Sequence, residues 1–139
     1  MLEDKLCVIC GRRIQWRRSL ARDWEHVQTC SARCRRMGLS ATDHALEATI
    51  LELLRERSRG STVDPAEAAR LVGGGGGWRS LLEPARMAAR RLVARGAIEV
   101  LQHGRVVDPS TARGPIELRA VAATAARRAS TPRASSRNR

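Results

Sequence analysis

The stretch that decides the fold runs from Cys7-Val8-Ile9-Cys10 to Cys30-Ser31-Ala32-Arg33-Cys34 and contains all four cysteines of the chain. A C-x2-C turn offers two thiolates from one knuckle, and a C-x3-C pair offers two from one helical turn. Four such donors, each about 2.3 Å from a common centre, satisfy a tetrahedral Zn2+ ion. Two close pairs with no cysteine left over predict one structural zinc ion rather than buried thiols, disulfides or a redox pair. The predicted metal ligands are Cys7, Cys10, Cys30 and Cys34.

Residues beside the two pairs predict how the ligands are presented. Gly11 suits the tight backbone of a knuckle. Ser31 can cap a short helix that carries Cys34, and Gly38 can end that helix. The order of knuckle, hairpin and ligand-bearing helix predicts a treble-clef-like zinc finger over residues 1–39.

The segment between the pairs predicts the hairpin. Apolar and polar residues alternate at positions 14 to 17 and again at 26 to 29, which is typical of two short strands. His26 lies four residues before Cys30 and is an alternative ligand, although four thiolates already satisfy the ion. The side chains expected to pack against the metal site are Ile14, Trp16, Trp24 and Val27.

Residues 40–118 predict a second, mainly helical domain. A first helix is expected from Ser40 or Thr42 to about Arg57, with Leu46, Ile50, Leu53 and Leu54 on one stripe and Glu47 off it. A second helix is expected from Asp64-Pro65 to about Leu71, and a third from Pro84 to Gly96. On the third helix the apolar arc is Ala85, Ala88, Ala89, Leu92 and Val93. The remaining face is predicted to expose Arg86, Arg90, Arg91 and Arg95.

After Gly96 the hydrophobic period changes from 3.6 to 2 residues. Ile98, Val100 and Val107 are expected to face inward from a hairpin that turns at His103-Gly104. Three helices followed by a hairpin predict a winged helix-turn-helix domain with a β-hairpin wing. Residues 119–139 contain almost nothing apolar to bury except alanine, and predict a disordered basic tail.

Gly73 to Gly77 form a run of five glycines. A phosphate-binding loop would need Lys-Ser or Lys-Thr directly after the run and a strong strand before it, and both are missing. The run is therefore interpreted as a flexible connection.

Charge is distributed unevenly along the chain. The formal net charge is +12, and residues 1–40 carry nine basic and four acidic side chains, or +5. Residues 41–118 carry eleven and ten, or +1, and residues 119–139 carry six and none, or +6. Acidic residues at the start and the lack of a long apolar run predict a cytoplasmic protein without a membrane partner. Thiolate ligation also suits that compartment.

Two parts of the chain resemble bacterial families. The first resemblance rests on Cys7-Val8-Ile9-Cys10-Gly11-Arg12, Trp16-Arg17-Arg18 and Cys30-Ser31-x-x-Cys34-Arg35-Arg36, which are similar to the short four-cysteine family called domain of unknown function 2256. The second rests on Ile50-Leu51-Glu52-Leu53-Leu54, Pro84-x-Arg86-x-Ala88-x-Arg90-x-Leu92 and Gly104-Arg105-Val106-Val107-Asp108, which resemble domain of unknown function 3253. The second resemblance implies a winged-helix-like fold, and neither implies an established activity.

The pattern of basic residues favours a nucleic-acid-binding protein, with DNA preferred over RNA. Arginines of the third helix are expected to contact phosphates and guanine edges in the major groove, with His103 and Arg105 at the tip of the wing. The finger and the basic tail are expected to contact phosphates. The alternatives are that each arginine is simply a solvated charge, or that the chain is a protein-interaction module. No catalytic motif is present and four cysteines leave no open metal position, so an enzyme is not expected. The predicted nucleic-acid contacts are Arg86, Arg90, Arg91, Arg95, Arg105, Arg12, Arg13, Arg17, Arg18, Arg35 and Arg36.

Overall fold

The computed structural model describes residues 3–121, and within them the chain is mainly helical with two small antiparallel sheets. Its buried side chains form two hydrophobic clusters. The first lies in the finger, defined here as residues 3–39, and the second in the helical domain, residues 40–121. None of the helices in this described range is both long enough and apolar enough to cross a membrane.

The first cysteine pair lies in a β-hairpin. Strands β1 (Lys5–Leu6) and β2 (Arg13–Ile14) pair antiparallel on either side of the knuckle. Inside it, the N–H of Cys7 donates to the carbonyl of Arg12 at 2.8 Å, and the N–H of Gly11 donates to the carbonyl of Cys7 at 2.9 Å. The knuckle is thus the hairpin turn itself.

The predicted hairpin between the two cysteine pairs is wrong. Strand β2 pairs with the upstream strand β1, and a 3-10 helix, Arg18–His26, occupies the middle of the segment. The backbone is non-helical at Asp23, so the segment consists of two short helical turns on either side of a kink. Leu20 and Trp24, one on each side of that kink, both pack against the finger cluster. The short alternating patterns at the two ends did not indicate this kinked segment.

Trp16 is also placed differently from the prediction. Its side chain is 39% exposed, whereas Trp24 is buried. Strand β2 ends at Ile14, so no strand continues to carry Trp16 into the finger cluster. Ile9, which was not predicted, is buried there instead.

The second cysteine pair is presented as predicted. Helix α1 (Ala32–Met37) begins two residues after Cys30 and carries Cys34. The Ser31 hydroxyl accepts a hydrogen bond from the N–H of Cys34 at 3.2 Å, which caps the helix. Gly38 ends it.

The first two helices of the helical domain begin at the predicted caps. Helix α2 (Ala41–Glu56) starts after Ser40, and helix α3 (Pro65–Gly73) starts after Asp64. In both, the cap side chain and an acidic residue three positions later form a reciprocal capping box. These local hydrogen bonds fix both starts.

The last helix is longer than predicted at its beginning. A 3-10 turn, Trp78–Leu81, leads directly into helix α4 (Leu82–Ala94), so the helix starts two residues before Pro84. Pro84 fits within the first turn, where its missing N–H leaves no helical bond unmade. The predicted apolar arc is confirmed, because the core of the domain consists of Leu46, Ile50, Ala68, Ala69, Ala85, Ala88, Ala89, Leu92, Ile98, Val100, Ile116 and Leu118.

A three-stranded sheet closes the domain. Strands β3 (Ile98–Gln102), β4 (Arg105–Val106) and β5 (Glu117–Ala120) lie in the order β4-β3-β5, all antiparallel. Val63, between α2 and α3, bridges to Leu118 of β5, with an N–H to carbonyl bond of 2.8 Å in each direction. The sheet therefore connects the last strand of the domain to the segment between α2 and α3.

The turn of the hairpin is as predicted. His103 and Gly104 have φ values of 52° and 77°, so both adopt the left-handed conformation typical of a two-residue hairpin turn. Ile98 and Val100 are buried, and Val107 packs against the core.

The end of the folded domain lies beyond the predicted boundary of residue 118. Strand β5 continues to Ala120, which pairs with Ile98, and Arg119 forms an ion pair with Glu99. The apolar content of the sequence could not predict this boundary, because residues 119 and 120 are held by strand pairing rather than by burial of large side chains. The rest of the predicted tail, residues 122–139, lies outside the described residues.

Candidate metal centre and its contact with helix α4

The four thiols converge on one point. All four sulfur atoms lie within 4.8 Å of one another, and the Sγ of Cys30 is 3.6 Å from those of Cys10 and Cys34. Tetrahedral ligands with metal–sulfur bonds of about 2.3 Å stand about 3.8 Å apart, so these separations fit a single metal ion. They exceed the ~2.05 Å of a disulfide bond. Cys7, Cys10 and Cys34 are buried, whereas Cys30 is exposed.

The electrostatics of the cluster also fit a cation. Burial opposes ionisation of Cys7, but N–H groups of Cys10, Ile9 and Cys30 donate to its sulfur and lower its pKa to about 7. Burial and the neighbouring thiols raise the pKa of Cys10 to about 12. The first thiolate therefore opposes the next, and a divalent cation at the centre would reverse this effect.

His26 is not part of this cluster. The potential ligands that converge within the described range are the four cysteines. His26 is exposed and lines a cleft of about 480 Å³ beside Cys30. The 3-10 helix that replaces the predicted strand ends at His26 and directs the chain along this cleft.

The prediction that Arg90 and Arg91 point outward is wrong. They are 4% and 5% exposed, because the finger packs on the side of α4 that faces away from the apolar core. The Arg90 Nε donates to the carbonyl of Cys10 at 2.5 Å, and the Arg91 Nη1 donates to the carbonyl of Ile9 at 2.6 Å. Both guanidinium groups thus satisfy carbonyls of the knuckle. Helical periodicity distinguished the face of α4 that packs on the core from the opposite face. It could not show that the finger covers that opposite face.

Gly11 allows this close approach. A Cβ atom added there would lie 2.3 Å from the Cβ of Arg90 and 2.8 Å from its carbonyl carbon, and the φ of Gly11 is 79°. Any larger residue would force the knuckle away from α4. Met87, also on α4, packs against the finger cluster beside this contact.

A buried carboxylate completes the contact on the side of helix α2. Glu47 is 7% exposed, although the sequence placed it off the apolar stripe. It accepts hydrogen bonds from Arg91 and from Arg95, the second at 2.7 Å. Burial opposes ionisation of Glu47, but these two guanidinium groups outweigh it and lower its pKa. Arg95, a predicted nucleic-acid contact, therefore forms an ion pair with Glu47, although its side chain is 56% exposed.

The finger also contacts the segment after strand β4. The N–H of Arg13 donates to the Ser110 hydroxyl at 2.8 Å, and the Arg13 guanidinium forms an ion pair with Asp108. The backbone N–H of Ser110 lowers the pKa of Asp108, and Arg13 lowers it further. Of the predicted phosphate contacts, Arg13 is thus committed to an internal pair.

The other predicted nucleic-acid contacts are not brought together at one point. Arg86 is half-buried on α4, and Arg105 is exposed on strand β4. Within residues 3–121 neither of them forms an ion pair. The remaining predicted contacts are exposed on the finger: Arg12, Arg17, Arg18, Arg35 and Arg36.

The fold and the cluster define the class of this molecule: a four-cysteine finger with a potential metal site, docked on a three-helix domain with a three-stranded sheet. The chain belongs to the family described as protein of unknown function DUF3253, which matches residues 43–121. The description "uncharacterized protein conserved in bacteria", DUF2256, matches residues 1–37. Both predicted resemblances are confirmed, in the predicted order. No curated protein matches the chain.

Proposed function

We propose that this is a zinc-dependent nucleic-acid-binding protein, with a binding role rather than a catalytic one. The observation that carries the proposal is the uncompensated positive surface of the finger. Exposed arginines cover it, and within residues 3–121 none of the following forms an ion pair: Arg12, Arg17, Arg18, Arg22, Arg33, Arg35 and Arg36. Such a surface attracts phosphate groups and releases their counterions on binding.

Zinc is the proposed ion because four thiolates in tetrahedral reach are its preferred structural ligand set. A knuckle followed by a helix that carries the last ligand supports a treble-clef-like finger, although the hairpin flanks the knuckle rather than following it. The ion would be structural, since four cysteines complete its coordination. The small finger cluster makes folding of this part dependent on the metal.

A winged-helix assignment of the helical domain is supported by its element order. Helix α2, the bridge at Val63, helices α3 and α4, and then strands β3, β4 and β5 follow one another as in such a domain. In such domains the third helix enters the major groove, but here the finger occupies the corresponding side of α4 at Arg90 and Arg91. Because the finger covers Arg90 and Arg91, we assign phosphate contacts to the finger and leave base contacts to Arg86 and Arg105. Discrimination between sequences is then expected to be weak.

DNA is proposed ahead of RNA. The wide major groove of B-form DNA admits protein elements, whereas the major groove of A-form RNA is deep and narrow. A wing carrying Arg105 therefore suits a DNA duplex better.

The test measures binding of the zinc-loaded full chain to duplex DNA, duplex RNA and single strands by fluorescence anisotropy at several salt concentrations. Replacing Arg17 and Arg18 together with Gln should weaken binding to all duplex sequences about equally. The slope of log affinity against log salt should shrink by about 0.9 for each phosphate group that the variant no longer binds.

The matched control replaces Arg55 and Arg59 with Gln. Both are exposed near the end of α2 that lies away from the finger. The change in net charge is the same, so an equal loss of affinity would contradict a local finger surface. Failure of the wild-type protein to bind any nucleic acid would overturn the proposal. A protein-interaction module would then be favoured by the exposed apolar side chains of the finger: Leu6, Val8, Trp16, Met37 and Leu39.

A further inference from the structure

Two arginines flank one tryptophan at the turn between helices α3 and α4. The guanidinium carbons of Arg70 and Arg79 lie 4.5 Å and 4.8 Å from the centre of the Trp78 ring. Both arginines are exposed and the ring is half-buried. Each contact gains electrostatic attraction from the ring, which restricts where each guanidinium group lies.

Within residues 3–121 neither Arg70 nor Arg79 forms an ion pair. The acidic residue one turn before Arg70, Glu67, is held by both terminal nitrogens of Arg57. The pKa of Glu67 is lowered mainly by its hydrogen bond with Arg57 and to a smaller extent by the charge of Arg70, so this carboxylate partly offsets one arginine of the pair without binding it. The two guanidinium groups therefore keep their hydrogen-bond donors available to a partner outside the chain, and their positions are already restricted by the ring.

The glycine run lies directly beside this pair, and the fold explains only part of it. A Cβ atom at Gly73 would be 2.8 Å from the Cα of Trp78, while Gly74 and Gly75 have φ values of 57° and 33°. Gly76 has neither reason: its φ is not positive, and an added Cβ would have nothing within 4 Å. A position where the fold has room for a side chain but carries none suits close approach of an external group to the backbone.

We propose that Arg70 and Arg79, positioned by Trp78 beside the exposed backbone of Gly74 to Gly77, bind phosphodiester groups of a nucleic acid. This site rests on the proposed function and adds to it a contact made by the helical domain, separate from the finger. A guanidinium fork suits phosphate oxygens, and a nucleic-acid strand offers a separate phosphodiester group to each of the two forks. Exposed backbone without side chains lets such a bulky polymer approach them.

The test compares two charge-matched double variants of the zinc-loaded full chain. Arg70→Gln with Arg79→Gln removes the proposed site, and Arg55→Gln with Arg59→Gln removes the same charge elsewhere. Affinity for one duplex DNA and for its single strand is measured across a salt series, with a competition arm using inorganic phosphate at constant ionic strength. The expected result is a salt slope smaller by about 1.8 for the first variant, from two phosphates at about 0.9 each, and a clearly smaller change for the control.

A second variant tests the glycine argument. Gly76→Ala has room for its methyl group and should keep both melting temperature and affinity close to wild type, whereas Gly76→Glu should keep the melting temperature but weaken binding several-fold. Equal affinity of Gly76→Glu and wild type would count against the site.

The outcomes distinguish failure of this site from failure of the proposed nucleic-acid-binding function. If wild-type protein binds DNA and the two double variants behave alike, the site is wrong and the finger surface stands. If wild-type protein binds no nucleic acid, both proposals fall. Displacement of the duplex by millimolar inorganic phosphate, with loss of that effect in the first variant, would show a site for free phosphate rather than for a polymer.

Discussion

The finger and the helical domain differ in the burial of arginine: within the described residues, the buried arginines, Arg90 and Arg91, both belong to the helical domain. In the helical domain, Arg91 is buried against Glu47, and Arg57 pairs with Glu67. In the finger, Arg13 forms ion pairs. The other arginines of the finger are exposed and form no ion pair within the described residues. The large apolar core of the helical domain fixes backbone positions well enough to hold a buried ion pair, whereas the finger has only a small cluster of buried side chains. Most of the finger's arginines therefore stay at its surface.

The two regions contact each other at these two buried arginines. Arg90 and Arg91 belong to the helical domain, yet their donors satisfy the carbonyls of Ile9 and Cys10 in the finger. Those carbonyls are held in place by the same knuckle that positions two of the thiols. The position of the finger on α4 should therefore depend on the metal. Removing the metal and substituting residues of the contact are two separate ways to disturb that position.

The largest expected effect comes from loss of the metal. Cys34→Ser removes one ligand, and structural zinc contributes roughly 10 to 16 kcal/mol to folding of small units of this kind. We expect amides of residues 7–38 to lose their protection from hydrogen exchange, while helices α2 to α4 keep theirs. Hydrogen exchange with mass spectrometry, together with zinc analysis by mass spectrometry, measures both.

Chelator treatment of wild-type protein followed by zinc addition serves as the control, because it should reproduce and then reverse the effect. Protein purified without chelator and containing no zinc would contradict the metal assignment. Loss of protection throughout α2 would contradict the view that the helical domain has its own core.

Much of the helical domain could be predicted because its signals are local. The caps at Ser40 and Asp64 satisfy helix ends with neighbouring side chains, and His103-Gly104 has the conformations that a two-residue turn needs. The metal cluster was predictable for a similar reason, since ligand spacing within each pair is itself a local geometry.

The contact between the regions could not be predicted, because it joins residues about 80 positions apart. Periodicity places Arg90 and Arg91 opposite the core of α4, which predicts exposure unless a second layer is known. For Glu47, the sequence indicated only that this carboxylate follows directly after Leu46, which is buried. Pairing it with Arg91 requires knowing how α2 and α4 pack, and the sequence pattern does not encode that distance.

An intermediate effect is expected from Arg91→Met. This change leaves Glu47 buried with Arg95 as its remaining ion-pair partner in the described chain, and it removes a donor from the carbonyl of Ile9. Breaking a buried pair costs about 3 to 5 kcal/mol, and we expect about 3 kcal/mol of unfolding free energy here because Arg95 remains. Urea denaturation of zinc-loaded protein, followed by circular dichroism, gives the value.

Two further variants sharpen this measurement. Arg86→Met lies on the same helix, half-buried and without an ion pair in the described range, and should cost no more than about 0.5 kcal/mol. Adding Glu47→Leu to Arg91→Met removes the buried carboxylate that has lost one of its two arginine partners, and should recover most of the loss. A cost for Arg91→Met equal to that of Arg86→Met would show that the buried contact does not stabilise the fold.

The smallest expected effect comes from Arg13→Gln, at the exposed rim of the same contact. Its ion pair with Asp108 is about one-third exposed on both sides, so solvent screening limits its contribution to about 0.2 to 1 kcal/mol. The pKa of Asp108 is lowered from 3.8, first by the N–H of Ser110 and then by Arg13. A lowered carboxyl pKa stabilises the fold above pH 3.8, and this contribution is lost as pH falls through the lower folded value. Since the Ser110 N–H survives the substitution, most of the pKa shift should survive as well, and carbon-13 NMR titration of the Asp108 carboxyl measures it. A return of the pKa to the ordinary value in Arg13→Gln would mean that the Arg13 guanidinium of the finger, rather than the local turn at Ser110, lowers the pKa of this carboxyl.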